Sequence, residues 1–93
     1  MTIKKLTKMP YAQAHIEILD DGTIVLVSYT TRVAQIPPNG WLTVYGLYSM
    51  TTRRHISAFM GEYGNGCDYA TAKMICTDRM VLNIYTGEVI DWG

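Results

Sequence analysis

The spacing of the apolar residues changes twice along this 93-residue chain, and the change limits the folds available to it. Over residues 11–19 apolar and polar residues alternate, which is the period of a strand with one buried face. Over residues 49–63 the apolar residues recur every three or four positions, which is the period of an amphipathic helix. Residues 80–92 return to the strand type. The two periods in this order predict an α+β fold with an antiparallel sheet.

Turn residues divide the first half of the chain into three predicted strands. Asp20-Asp21-Gly22 favours a tight hairpin because glycine accepts a positive φ. The next run, Thr23 to Ile36, is rich in β-branched residues and predicts one long strand. Pro37-Pro38-Asn39-Gly40 predicts a turn, since proline has no N–H donor and Asn-Gly tolerates left-handed backbone. Trp41 to Tyr48 then predicts the third strand of a meander.

Two helices and a hairpin are predicted for the second half. The first helix covers residues 49–63 and ends at Gly64-Asn65-Gly66, residues that readily take the left-handed terminal conformation. A shorter helix is predicted from Asp68 to about Cys76, followed by a terminal hairpin over residues 80–92. The predicted order is therefore β-β-β-α-α-β-β, with both helices packed on one face of the sheet.

We expect residues 1–93 to form a single domain, because the chain is shorter than a typical domain. Residues 1–10 mix lysines with scattered apolar residues and end at a proline, which indicates a flexible N-terminal arm. The inward-facing positions of the predicted elements give the expected core, which consists of Ile16, Ile18, Val25, Val27, Val44, Ile56, Phe59, Leu82 and Ile84.

The charge balance argues against a strongly basic nucleic-acid module. Eight basic and eight acidic residues cancel, and 17% of the chain is charged. Basic residues cluster at Lys4, Lys5 and Lys8 and at Arg53-Arg54, so phosphate binding would need these two groups to converge. No apolar run is long enough to span a bilayer and no secretory signal is present. We therefore expect a soluble protein of the cytoplasm with reduced thiols.

No recognised catalytic motif occurs in the sequence, whether P-loop, G-x-S-x-G, H-E-x-x-H or dinucleotide fingerprint. His15 and His55 are the two histidines, and a base needs a positioned partner and a substrate pocket. Cys67 precedes the second predicted helix, whose dipole would lower the pKa of the thiol. An incidental small residue is the simpler interpretation of Cys67. We expect no cofactor and no metal, and an enzyme using His55 or Cys67 is the least favoured hypothesis.

A short internal echo gives one further candidate site. Residues 28–32 and 48–53 both contain Tyr, Ser and Thr-Thr-Arg. Hydroxyls, a guanidinium and a helix N-terminus together can bind an anion. The alternative is that threonine favours the strand in the first copy and caps the helix in the second. The alternative is the simpler explanation of the two copies.

The patterns S-Y-x-T-x-V and Y-S-x-T-T-x-x-H-I-x-x-F, within residues 28–59, carry a resemblance to a known group. With Thr86-Gly87-Glu88, they resemble small proteins of unknown function encoded by phages and mobile elements of Gram-positive bacteria. The resemblance implies a genomic setting and no assigned activity. Proteins in that setting often act by binding, for example as inhibitors of a host nuclease or of a CRISPR effector, or as accessory regulators.

Two binding hypotheses follow. The first is a non-enzymatic protein-binding module of the bacterial cytoplasm, since Tyr and Arg are frequent in interfaces and the chain has seven tyrosines. Its contact residues are predicted to be Tyr48, Thr51, Arg53, Arg54 and Tyr63. The alternative is a nucleic-acid-binding accessory protein that uses Lys4, Lys5, Lys8, Arg53 and Arg54 on phosphates. The partner in the first case is a host or mobile-element protein, and a second copy of the chain is a further option.

Overall fold

The computed structural model describes residues 1–7, 9–10, 12–45, 50–64, 70, 73–75 and 80–91. Within these ranges seven strands form one antiparallel sheet whose spatial order is the order of the chain. One long helix follows the fifth strand. The elements are β1 Thr2–Lys4, β2 Ala14–Ile18, β3 Ile24–Ser28, β4 Thr31–Ile36, β5 Trp41–Val44, α1 Met50–Tyr63, β6 Met80–Asn83 and β7 Val89–Asp91. The α+β class and the antiparallel sheet are confirmed.

The β2–β3 hairpin closes where Asp-Gly predicts it. Gly22 has a φ of 94°, a value that glycine adopts without steric cost. The Asp21 carboxylate accepts a hydrogen bond from the backbone N–H of Thr23 at 2.8 Å. This backbone bond is the main reason why the pKa of Asp21 is lowered. The turn sets the β2–β3 register, in which Ile16 lies opposite Leu26.

The single long strand predicted over Thr23 to Ile36 is wrong, because the chain reverses at Tyr29 and Thr30. Tyr29 has a φ of 57°, and the flanking Ser28 and Thr31 pair across the hairpin. When the first residue of a two-residue turn has a positive φ, glycine is the preferred residue at that position. The segment has β-branched residues on both sides of the reversal and no glycine at it, so its composition does not predict the turn. Three strands predicted before the helix become five.

The other additional strand, β1, comes from the segment predicted as a flexible arm. Residues 2–4 form the edge strand β1, with Ile3 opposite Glu17 of β2. Leu6, just beyond β1, is fully buried and belongs to the main core. A three-residue strand is too short for alternation to be recognised, and lysines on an edge strand disguise it further.

The first helix and the last hairpin lie in the segments predicted for them. The helix α1 begins at Met50 and ends at Tyr63, and β6 and β7 pair with Val81 opposite Ile90. Of the second predicted helix, residues 70 and 73–75 are helical, and the rest lies outside the described residues. Packing of two helices on one face is therefore not part of what the structure describes.

The core forms between α1 and the face of the sheet that it covers. Ile56, Phe59 and Met60 are buried on the inner side of the helix. Seven of the predicted core residues are buried, and the remaining two, Ile18 and Ile84, are half-buried and pack against the cluster. The predicted inward face of β3 is wrong, because Leu26 and not Val25 or Val27 belongs to the cluster under α1. Leu26 lies opposite Ile16, whereas Val25 and Val27 lie opposite Glu17 and His15. Since the inner side of α1 is fixed by its contact with the sheet, its outer side is fixed as well.

Candidate functional site

The first half of α1 presents four adjacent polar or flexible side chains to solvent. Met50, Thr51, Arg53 and Arg54 are exposed, whereas Thr52 is buried toward the sheet. Three of these four exposed residues, Thr51, Arg53 and Arg54, are among the predicted partner contacts. All three are exposed, and their role in binding stays a prediction. The apolar period also suggests a solvent-facing position for Thr52, and that expectation is wrong because Thr52 is buried.

These exposed residues border an open surface hollow of about 340 Å³ whose described lining is Met50, Arg53, Arg54 and Ser57. Met50 and Ser57 are seven residues apart, close to two helical turns, so they lie almost in line along the helix axis. Arg53 and Arg54 fall on either side of that line, because adjacent residues are about 100° apart around the axis. We call Met50, Thr51, Arg53, Arg54 and Ser57 the arginine face.

Among the described residues, the charges on the arginine face are positive. The first turn of α1 has no acidic residue, although an acid is the residue type that the helix dipole favours there. Among the described residues, the ion pairs involve Met1, His15 and Arg32, and neither Arg53 nor Arg54 contacts a carboxylate. Two guanidinium groups therefore add to the positive end of the helix.

Tyr63 does not belong to this face. It lies ten residues after Arg53, about 15 Å along the helix axis. Its ring packs on Phe59 at a centroid distance of 5.6 Å, and burial is the main reason why the pKa of its hydroxyl is raised. Tyr63 lines a separate hollow of about 400 Å³ with Glu62, Ile84 and Tyr85. The remaining predicted contact, Tyr48, lies outside the described residues.

No contact in the described part of the chain brings together the two basic groups of the nucleic-acid hypothesis. The backbone N–H of Thr7 donates to the Glu62 carboxylate at 2.8 Å, which places the segment after β1 at the C-terminal end of α1. Lys4 and Lys5, both exposed, precede this contact. Arg53 lies about 13 Å from Glu62 along the axis, at the other end of the helix. Lys8 lies outside the described residues.

His55 faces the sheet instead of solvent and forms a buried polar bridge. Its Nδ1 lies 2.9 Å from the Ser28 hydroxyl, and that hydroxyl lies 3.0 Å from the hydroxyl of Thr52. The ring of Tyr29 lies beside the imidazole, with a centroid distance of 6.0 Å and an angle of 51° between the ring planes. The bridge connects β3 to the first half of α1 and thereby holds the arginine face in position.

The bridge also joins the two copies of the internal echo. Ser28 belongs to the first copy and Thr52 to the second, and their hydroxyls bond to each other. Arg32 of the first copy is directed to Glu17 at 3.2 Å, and Arg53 of the second is exposed. These contacts favour the structural interpretation of the echo over an anion site. Periodicity could not show the contact, because its members are 24 residues apart in the sequence.

A hydroxyl beside an imidazole is also the geometry of an activated nucleophile. Here Ser28 is 2% exposed and His55 is 1% exposed, so a substrate has no route to either atom. Within the described residues the imidazole has no carboxylate partner to orient it. His15 instead bonds to Glu17 at 3.2 Å on the sheet, and Cys67 lies outside the described residues. No described group of three His, Cys, Asp or Glu side chains could hold a metal ion.

We expect the buried imidazole to make stability depend on pH. Burial lowers the pKa of His55 below its ordinary value of 6.5. As the pH falls below about 6.5, the unfolded chain therefore takes up a proton before the folded one does. The contribution to the free energy of unfolding should be complete above about pH 7 and decline below it. Urea denaturation between pH 7.5 and 5 would measure the decline.

His55→Asn should flatten this pH dependence, because the amide does not titrate. His15→Asn is the matched control, since it removes the other histidine and leaves the bridge intact. Equal slopes for wild type and His55→Asn would contradict the assignment.

Comparisons with known proteins give a family and no activity. A family model described as "Family of unknown function (DUF8033)" matches residues 1–80, a range that includes β1 to β5 and α1. No curated protein and no solved structure matches the chain. In the described part of the chain, no helix combines the length and hydropathy needed to cross a membrane.

Proposed function

We propose that this chain, which belongs to the DUF8033 family of unknown function, is a non-enzymatic protein-binding module whose contact surface is the arginine face. One observation carries the proposal. The hollow on the first half of α1 is flanked by two exposed guanidinium groups without a carboxylate partner in the described residues. Arginine is among the side chains that most often dominate the binding energy of an interface.

The position of the reactive groups supports binding over catalysis. The hydroxyl–imidazole pair of Ser28 and His55 is sealed inside the fold, whereas the arginine face is open. The pair also anchors the first half of α1 to β3. A surface held rigid in this way loses little conformational freedom when a partner binds, which favours affinity.

The genomic setting is part of the proposal. The pattern over residues 28–59 resembles small proteins of phages and mobile elements and covers the start of α1, although Arg53 and Arg54 fall at positions that the pattern leaves open. In that setting the module would act in the cytoplasm of a bacterial host. Its partner would be a host or mobile-element protein. The most specific form of this hypothesis is that the partner is a defence nuclease such as a CRISPR effector.

Substitution of both arginines tests the proposal. Once a partner has been captured from host lysate and purified, Arg53→Ala with Arg54→Ala should weaken its binding by tenfold or more, because two central arginine side chains no longer reach the partner. The melting temperature should change little, since both side chains are exposed. Isothermal titration with the purified partner and thermal unfolding of both proteins would measure the two effects.

Lys4→Ala with Lys5→Ala is the matched control, since it removes the same charge near the opposite end of α1. With a protein partner, the lysine variant should bind like the wild type. With nucleic acid, each double variant should lower the salt slope of binding by about two, because each removes two cations that neutralise phosphates. An arginine variant with unchanged affinity would exclude the arginine face as the contact surface.

A further inference from the structure

We infer that the arginine face binds an acidic amphipathic segment of its partner, with one apolar side chain in the hollow and carboxylates on both flanks. The inference rests on the proposed function and names the chemistry of the partner. It is carried by three features of the face, which are its charge, its shape and its distance from the other basic residues.

The charge of the face favours an anionic ligand. Arg53 and Arg54 lie within the first five residues of α1, where the helix dipole already adds positive potential. Glu62, the acidic residue of α1, lies near its other end and accepts a hydrogen bond from Thr7. Among the described residues, no carboxylate compensates the two guanidinium groups. A partner that supplies carboxylates can therefore form bidentate ion pairs with both.

The shape of the face indicates two anionic groups and an apolar group between them. Arg53 and Arg54 diverge from the line joining Met50 to Ser57, so they flank the hollow and do not converge on one anion. The surface of the hollow is mostly apolar, as expected where a thioether and the methylene stems of arginine come together. The hollow is open, and its volume of about 340 Å³ lies at the lower end of the range for ligand pockets, which suits a side chain inserted from a partner.

The same features favour an acidic protein segment over nucleic acid. A nucleic acid needs a track of several cations for its phosphates, whereas Lys4 and Lys5 precede a contact at the far end of α1. An apolar floor between the arginines offers nothing to a phosphate. An amphipathic helix instead carries apolar and acidic residues at the spacing that a helix-in-groove contact uses.

A designed peptide tests the inference directly. The probe is a fluorescein-labelled peptide of about 16 residues made of Glu, Leu and Ala, with one leucine stripe flanked by glutamates. Fluorescence anisotropy with the full chain should show saturable binding. Affinity should fall at least about tenfold when every Glu of the peptide becomes Gln, and at least about tenfold when every Leu becomes Ala.

Charge reversal gives the decisive comparison. Arg53→Glu with Arg54→Glu should abolish binding of the acidic peptide and create binding of a peptide in which every Glu is Lys. Lys4→Glu with Lys5→Glu, the matched control, should leave the affinity for the acidic peptide within about twofold. Circular dichroism establishes whether each variant is folded. If the charge-reversal variant is unfolded, Arg53→Ala with Arg54→Ala replaces it.

Three results would overturn the inference. They are an absence of saturable binding, equal affinity for the Glu and Gln peptides, and stronger arginine-dependent binding of a single-stranded oligonucleotide. Failure with the peptide, together with arginine-dependent binding of a captured protein, would leave the protein-binding function standing and reject the acidic segment. If the captured protein also binds the arginine variant as tightly as the wild type, the proposed function fails as well.

Discussion

Phe59→Ala is expected to lower the free energy of unfolding by about 3–5 kcal/mol. Phe59 is fully buried in the core between α1 and the sheet, and it is the single phenylalanine of the chain. The substitution removes a large apolar side chain and leaves a cavity that the surrounding Ile and Met side chains fill only in part. Urea denaturation followed by circular dichroism would measure the change.

Thr51→Ala is the control for the Phe59 experiment, because Thr51 is exposed on the same helix. It should change the free energy of unfolding by less than about 0.5 kcal/mol. A decrease below about 1 kcal/mol for Phe59→Ala would contradict the packing of α1 on the sheet.

Ser28→Ala is expected to lower the free energy of unfolding by about 2 kcal/mol. The hydroxyl bonds to both His55 and Thr52 in the interior, and a buried polar atom without its partner keeps the full cost of desolvation. Thr52 has a further contact besides Ser28, so the group that loses its hydrogen-bond partner in the variant is mainly the imidazole. Chemical denaturation at pH 7.5 would measure it.

A double-mutant cycle separates the bridge from other effects of the serine. In a His55→Leu background, Ser28→Ala should have a clearly smaller effect, because the imidazole is no longer there to be deprived of its partner. Thr30→Ala, in the exposed turn beside Ser28, should have little effect in either background. Additive effects of the two substitutions would mean that Ser28 and His55 do not interact.

Local chemistry explains which parts of the fold could be predicted. The Asp-Gly turn, α1 and the last hairpin each follow from residues that are close in sequence, through turn preference or apolar period. The reversal at Tyr29 could not be predicted, because its positive φ is not carried by a glycine or an asparagine. The edge strand β1 is too short to show a period.

The candidate site divides in the same way. The exposure of Thr51, Arg53 and Arg54 follows from the helical period, since the buried side of a helix determines its outer side. The bridge between Ser28 and His55 depends on how α1 is placed on β3, and their separation of 27 residues leaves no local pattern. The echo drew attention to Ser28 and Thr52 for a different reason, as an anion site.

The agreement between strand order and chain order has a consequence for folding kinetics. Hairpins between consecutive strands give contacts of short sequence separation, and two-state folding is faster when contact order is low. The pairing of β5 with β6 is different, because residues 45–79 separate the two strands. Closing this longer loop costs more chain entropy, so we expect Leu42 and Leu82 to pair last during refolding. During synthesis β1 to β5 leave the ribosome before α1, so the helix that carries the arginine face can dock onto these five strands before β6 and β7 complete the sheet.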